Sequence, residues 1–396
     1  MHVGGKRAIP FGIFLLCSLA TAQTSPVDSP AEIDALTKTV LSLREYAESH
    51  SGIRGGLPEL TAAKHQLRDW IEFRLASFPE NGDPVRLSID FLAALSKARL
   101  FCDDPSDCPA NSIGFVDEVE VHREHGFLIV ATAVGTGVRC GYDYSAYAYE
   151  WRQNQWRRVW ENEQNDYSQA AYHPQTLHAV HISDAAADGT RLVLTLGTPA
   201  GCGGAFVPIY YRLWRINADG GSSPILDKSE ILNDEGEPPA IARITPDDLL
   251  IEFSAGGTGY GFTHKALRHY EIHGVTATLT DPIAPTPRDF VEEWLAAPWQ
   301  DSAARSDSPA LREWHDKLHR DDGQGDYPEP ALRCSNDPSL VEVTTHFEGM
   351  PRHYFVVRTK EALHFTMVSI GESAFPDCTQ PDPSADQQPS LLPSNR

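Results

Sequence analysis

At 396 residues the chain is too long for one ordinary domain of roughly 150 residues and suits two or three. Its 41% hydrophobic and 22% charged residues are a globular composition, not that of a disordered chain. With 33 Lys and Arg against 55 Asp and Glu the formal charge is −22. That balance argues against nucleic acid and anionic lipid as partners, because both need clustered positive charge.

The first residues read as an export signal. Lys6 and Arg7 form a positive start, Ile9 to Leu19 an apolar run, and Ala20-Thr21-Ala22 a cleavage site. Leu16 before Cys17 does not fit a lipoprotein signal, which carries a small residue there. The expectation is a cleaved segment 1–22 and a periplasmic or extracellular protein. No later run approaches 18 continuous apolar residues, so no stable membrane insertion is expected after cleavage. Beyond Cys17 stand Cys102, Cys108, Cys140, Cys202, Cys334 and Cys378, an even number that reads as disulfides in an exported chain. Six cysteines allow 15 connectivities; proximity favours Cys102–Cys108, Cys140–Cys202 and Cys334–Cys378. No C-x-x-C pair supports zinc instead.

Residues 23–110 read as helical. Ser29-Pro30-x-Glu32 is a capping box, followed by Ile33, Leu36, Val40 and Leu43 at helical spacing. A second helix is expected from Thr61, with Leu67, Trp70, Ile71 and Leu75. Asp83-Pro84 opens a third, with Leu87, Phe91, Leu92 and Leu95. Each amphipathic helix must bury its stripe against another layer.

From 111 to 282 the pattern changes to short alternating strands, and an internal repeat appears. Leu128 to Val134, Gly135 to Gly141 and Tyr147 to Trp151 make the first unit. Leu192 to Leu196, Gly197 to Gly204 and Tyr210 to Trp214 make the second; Leu249 to Phe253, Gly256 to Gly261 and Leu267 to Tyr270 the third. Cys140, Cys202 and Tyr260 lie 62 and 58 residues apart, and Trp151, Trp214 and Tyr270 lie 63 and 56 apart. Four strands are expected per unit, in the second at Leu177–Ile182, Arg191–Leu196, Phe206–Ile216 and Pro224–Ile231. Serial four-stranded units suggest a propeller-like or stacked antiparallel domain of about three units.

Asp281 to Pro287 reads as a linker, with Thr286 capping a helix that carries Phe290, Val291, Trp294 and Leu295. Ser308-Pro309 opens another, through about Arg320. Strands at Leu340–Phe347, His353–Thr359 and Leu363–Ile370 complete a small α+β domain over 286–378. The last stretch, 379–396, is rich in Pro, Ser and Gln and reads as a disordered tail. The expected fold is thus multidomain and mainly β, with a helical N-terminal segment and a small α+β C-terminal domain.

The sequence holds no G-x-S-x-G elbow, H-E-x-x-H helix, P-loop or dinucleotide fingerprint, and no cofactor is expected. The three glycine loops recur at one place in each unit, so Arg139, Tyr142, Asp143, Tyr260 and His264 beside them are candidate ligand contacts. His315 and His319, four apart on a helix, are candidate metal ligands. Asp321 to Asp326 lacks the spacing of a calcium loop and reads as an acidic turn. Trp151, Trp214 and Tyr270 read as equivalent core slots. Trp156 and Trp160, four apart, are assigned to one strand face, with Trp156 as the exposed platform.

The reading that follows is an exported, non-catalytic binding protein whose β-repeat scaffold meets a protein or an envelope glycan. The alternative is a secreted hydrolase acting on glycan or peptide through acidic residues. A scaffold for secretion or envelope assembly is the third.

Overall fold

The computed structural model describes residues 30–49, 58–101, 113–136, 142–165, 175–199, 206–233, 240–256, 263–319, 325–326, 329–347, 349–361 and 363–382. Three helices come first: α1 (Pro30–Ser49), α2 (Pro58–Leu75) and α3 (Pro84–Lys97). Asp83 caps α3 by accepting from the Val85 amide at 3.0 Å, and Pro84 starts the helix where no amide is needed. Leu87, Phe91 and Leu95, four apart, face inward; Val85 and Ile89, also four apart, face solvent. The second helix begins three residues before the expected Thr61.

Each sequence unit is a four-stranded antiparallel meander. The first is β1 (Val116–Glu124), β2 (Phe127–Gly135), β3 (Tyr142–Arg152) and β4 (Gln155–Asn162). The second is β5 (Gln175–Ile182), β6 (Arg191–Pro199), β7 (Phe206–Ile216) and β8 (Ser222–Asn233). The third is β9 (Ala240–Ile244), β10 (Asp248–Gly256), β11 (Thr263–His273) and β12 (Thr276–Thr280). Two-residue turns set the registers. His125 and Gly126 both have positive φ, as a type I′ turn requires, and join Glu124 directly to Phe127.

The units stack in series. One face of the first sheet, with Leu128, Val130 and Tyr147, packs against α1–α3. Its other face, with Phe127, Ile129 and Trp160, meets Val180, Val193 and Ile216 of the second. Leu192, Leu194 and Leu196 on the second sheet's far face meet Ile251, Phe253 and Ala255 of the third. The second and third units share one bent eight-stranded sheet, because β9 and the end of β8 (Leu232 opposite Ala255) both line the same side of β10.

Aligning Gly135, Gly197 and Gly256 makes Val130, Leu192 and Ile251 equivalent. Leu192 and Ile251 therefore meet like face to like face. Blades set round one axis meet through unlike faces, so this packing fits the stacked antiparallel form of the expected repeat domain, and the strand order does not show a closed propeller. Repetition specifies one unit; the turn taken between units is set by the connections.

Gly197 marks a close approach. A Cβ placed there would sit 2.8 Å from the Thr176 carbonyl oxygen, a backbone atom that cannot swing away. Gly197→Ala is expected to destabilise the fold by about 1–3 kcal/mol through overpacking. A urea midpoint equal to that of the unmodified chain would contradict this.

The C-terminal unit has α4 (Pro287–Ala296), α5 (Trp299–Ala303) and α6 (Leu311–Leu318). Its strands are β13 (Gly325–Asp326), β14 (Leu332–Cys334), β15 (Leu340–Phe347), β16 (Arg352–Glu361), β17 (His364–Gly371) and β18 (Cys378–Pro381). The sheet order is β17-β16-β15-β14-β18, with β13 on β15. Thr286 caps α4 as expected, and Phe290, Val291, Trp294 and Leu295 are buried with Phe355, Phe365 and Met367. Cys334 and Cys378 form a disulfide between β14 and β18. Cys102, Cys108, Cys140 and Cys202 lie outside the described residues.

The expected linker is not a free tether. Ile283 to Pro287 are buried, the Leu267 amide donates to the Ile283 carbonyl, and the Lys265 amide donates to Asp289 Oδ1. The chain leaving the third unit runs along β11 and turns into α4. No helix among the described residues is long and apolar enough to cross a membrane.

Candidate functional site

The connections after β2, β6 and β10 carry the glycine loops; Arg139 and Tyr260 fall in them, outside the described residues. The strands that carry these loops show what lies below. Where the apolar packing between the first and second sheets gives out, a small cleft opens to solvent. Its walls are Tyr144 of β3, Asn162 of β4, Thr176 and Leu177 of β5, Thr195 and Gly197 of β6, and Tyr210 and Arg212 of β7. The Tyr144 hydroxyl bonds to Thr176 across the two sheets, and burial first, then Glu118 and Asp117, push its pKa up. Tyr144 is therefore a neutral phenol at any physiological pH. Arg212 is the one cation of this wall and pairs with Asp227 at 3.1 Å. Hydroxyls, an amide and two half-buried rings make a surface that suits an uncharged ligand.

Beside the cleft, a bulge in β1 places Asp117 and Glu118 near Tyr142 and Tyr144. Tyr142 bonds to Asp117. Burial raises both carboxyls, opposed at Asp117 by that bond and reinforced at Glu118 by Glu120 and Asp117.

Asp143 faces the other way. It accepts from Lys64 of α2 at 2.9 Å, and the two side chains are 2% and 1% exposed. Lys64 also donates to the Gln164 carbonyl at 2.5 Å. The candidates Tyr142, Asp143 and His264 therefore enter three separate sets of contacts.

Two stations of like composition hold the layers together. In the first, Tyr147 of β3 donates to Glu163, just past β4; Arg68 and His65 of α2 reach the same carboxylate at 3.1 and 3.2 Å. In the second, Tyr211 of β7 donates to Glu230 of β8 at 2.5 Å, and Arg268 of β11 grips both Glu230 oxygens through Nε at 2.7 Å. Arg268 Nη1 continues to Glu293 of α4 at 2.8 Å, and His264 Nε2 meets the same carboxylate at 2.6 Å. Tyr270 closes the set, 2.9 Å from the Tyr211 hydroxyl. Burial alone would raise the Glu293 carboxyl; Arg268 and His264 overcome it and hold it at about 2. Burial alone would lower the His264 imidazole, but Glu293, with Glu292 and Asp289, raises it.

His264, a candidate loop contact, thus joins a junction inside the fold. Glu230, Arg268 and Glu293 escaped sequence reasoning. No sequence signal marked them: in α4, Asp289, Glu292 and Glu293 share one face opposite Phe290, Val291, Trp294 and Leu295, as in an ordinary amphipathic helix, and only the structure shows that this acidic face is buried too. Acids on a helix that is buried all round need partners.

His315 and His319 do share a face, with rings stacked at 5.1 Å. His315 Nε2 bonds to the Ala297 carbonyl at 3.0 Å and His319 Nδ1 to the Leu295 carbonyl at 2.5 Å. Both thereby satisfy carbonyls at the end of α4, where imidazole N–H groups suit the negative end of the helix dipole. No group of three or more metal-ligating side chains occurs among the described residues.

Trp156 is not an exposed platform. It is 7% exposed and donates to the Phe78 carbonyl at 3.1 Å. Nor does it share a face with Trp160: Trp156 packs toward the helices and Trp160 toward Trp214 of the second sheet. A bulge in the β3–β4 ladder at Ala148/Tyr149 is the cause, since one extra residue reverses every later side chain. Tyr270 is buried as expected of a core slot, while Trp151 and Trp214 are partly buried against their clusters.

No protein-family model matches the sequence, and no curated protein matches it. A solved chain from a structural and mechanistic study of two prolyl endopeptidases aligns with 76% of this chain at 13% identity. This chain spans 36% of that one, and the TM-score of 0.25 is too low to bear on fold or activity.

Proposed function

We propose that the protein is an exported, non-catalytic binding module whose cleft between the first and second sheets takes an uncharged glycan of the cell envelope. The observation that carries this reading is the cleft wall itself: Tyr144 and Tyr210 offer rings for a sugar face, and Asn162, Thr176 and Thr195 offer neutral hydrogen-bonding groups. The net charge of −22 further disfavours an acidic ligand.

Hydrolysis is the second reading, favoured by the raised carboxyls of Asp117 and Glu118 beside the cleft. A carboxyl that holds its proton longer is suited to act as a general acid.

A thermal-shift screen with uncharged oligosaccharides, short peptides and divalent cations tests both. A ligand at 100 times its dissociation constant adds about 2.7 kcal/mol to stability. The binding reading predicts a shift with an oligosaccharide that is lost in Tyr210→Ala, with the sugar recovered intact. Cleaved sugar, with cleavage lost in Glu118→Gln, would instead establish the hydrolase. A shift with peptides alone would replace the glycan by a protein partner.

A further inference from the structure

We propose that His264 and Glu293 form a proton-dependent latch that holds the C-terminal unit on the β stack. The latch lies where α4 meets the ends of β8 and β11. The helix brings three buried carboxylates to this junction: Asp289, Glu292 and Glu293. Against Glu293 stand two groups of β11, Arg268 and His264, with Arg268 shared with Glu230 of β8, while Arg288 of α4 acts on Asp289. Tyr211 and Tyr270 complete the wall as neutral phenols. Asp289 is engaged by Thr286 and by the Lys265 amide, which fixes the first turn of α4 beside β11.

Arg268 keeps its charge at every accessible pH, so among the described residues of this junction the cation that can be discharged near neutrality is His264. Its Nε2 faces Glu293 at 2.6 Å, and its buried Nδ1 has no hydrogen-bond partner among the described residues. Loss of the His264 proton removes one of the two cations that hold Glu293 and leaves that buried carboxylate sharing Arg268 with Glu230. The junction then loosens because Glu293 has lost a charge-assisted contact across it.

The sign follows from linkage. The folded-state pKa of His264 is raised, so its contribution is fully present below the unfolded value of about 6.5 and disappears as pH rises through the folded value. Glu293 is lowered, so its contribution is present above about 4.5 and is lost as pH falls toward 2. The latch is closed between these limits and opens on the alkaline side.

Amide hydrogen exchange on the full chain at about pH 6 and about pH 9, corrected for the intrinsic exchange rate, reads the latch directly. The expected result is loss of protection in α4 at the higher pH, with β2 and β6 unchanged. His264→Gln keeps a hydrogen-bond donor without the charge, and should show weakened α4 protection at both pH values. Protection of α4 that ignores pH in the unmodified chain, or a His264→Gln profile that follows it, overturns the proposal. His269 also bears a raised imidazole, bonded to Asp281 and Asp248, and His269→Gln should leave the pH response of α4 in place. Should His264→Gln fail to fold, NMR titration of the His264 ring in the unmodified protein decides instead. A pKa at or below that of free histidine overturns the latch.

Discussion

Replacing Arg268 by Ala is expected to destabilise the protein by about 3–5 kcal/mol, the range for removing one partner of a buried ion pair. The guanidinium contacts Glu230 and Glu293 together, and the three side chains are 13%, 22% and 10% exposed. Without it, two carboxylates from different layers face each other with little water between them. Arg268→Lys should recover only part of the loss, because an ammonium cannot reproduce the fork that grips both Glu230 oxygens. Urea unfolding followed by tryptophan fluorescence measures the effect. A loss under about 1 kcal/mol would place Arg268 among ordinary surface pairs and remove the second station as a structural element.

Lys64→Ala is expected to have an effect of similar size, about 3–5 kcal/mol, for the same reason at the other end of the stack. Lys64 is among the largest fully buried side chains, and its loss removes the cation from which the buried Asp143 accepts at 2.9 Å. The double variant Lys64→Ala/Asp143→Ala should be less damaged than Lys64→Ala alone, since the buried carboxylate that has lost its Lys64 contact is gone. Equal damage in the two would show that Lys64 acts through packing. The oligosaccharide shift that the proposed binding role predicts should survive Asp143→Ala, which separates this residue from the glycine-loop contacts with which its position in sequence groups it.

The sequence conveys elements well and their relative placement poorly. Phe206–Ile216 and Leu340–Phe347 match their expected bounds, and Asp83 and Thr286 cap the helices their chemistry predicts. These are local signals, decided by alternation and by one side chain meeting one amide. Short pieces such as β14, β18 and α5 carry too few residues for a period to register. Trp156 and Trp160 show a different limit. Their spacing promises one face, but an unpaired residue in the ladder reverses the outcome, and a bulge leaves no mark in hydropathy. The site followed the same division. Tyr142, Asp143 and His264 were legible as polar residues beside loops, whereas Glu230, Arg268 and Glu293 come together only through three separate elements, 63 residues apart at the extremes.

The neighbour-to-neighbour strand order also governs how the chain is assembled. From β1 to β7 every strand of a sheet pairs only with strands next to it in sequence, and β8 adds a single contact with β10, so almost no pairing there waits for distant residues. Loop-closure entropy is then small at each step, and each meander can zip up behind the one before it. The C-terminal sheet breaks this rule, because β14 must recruit β18 across β15, β16 and β17. Refolding should therefore finish at that end, with formation of the Cys334–Cys378 bond reporting arrival of the last strand.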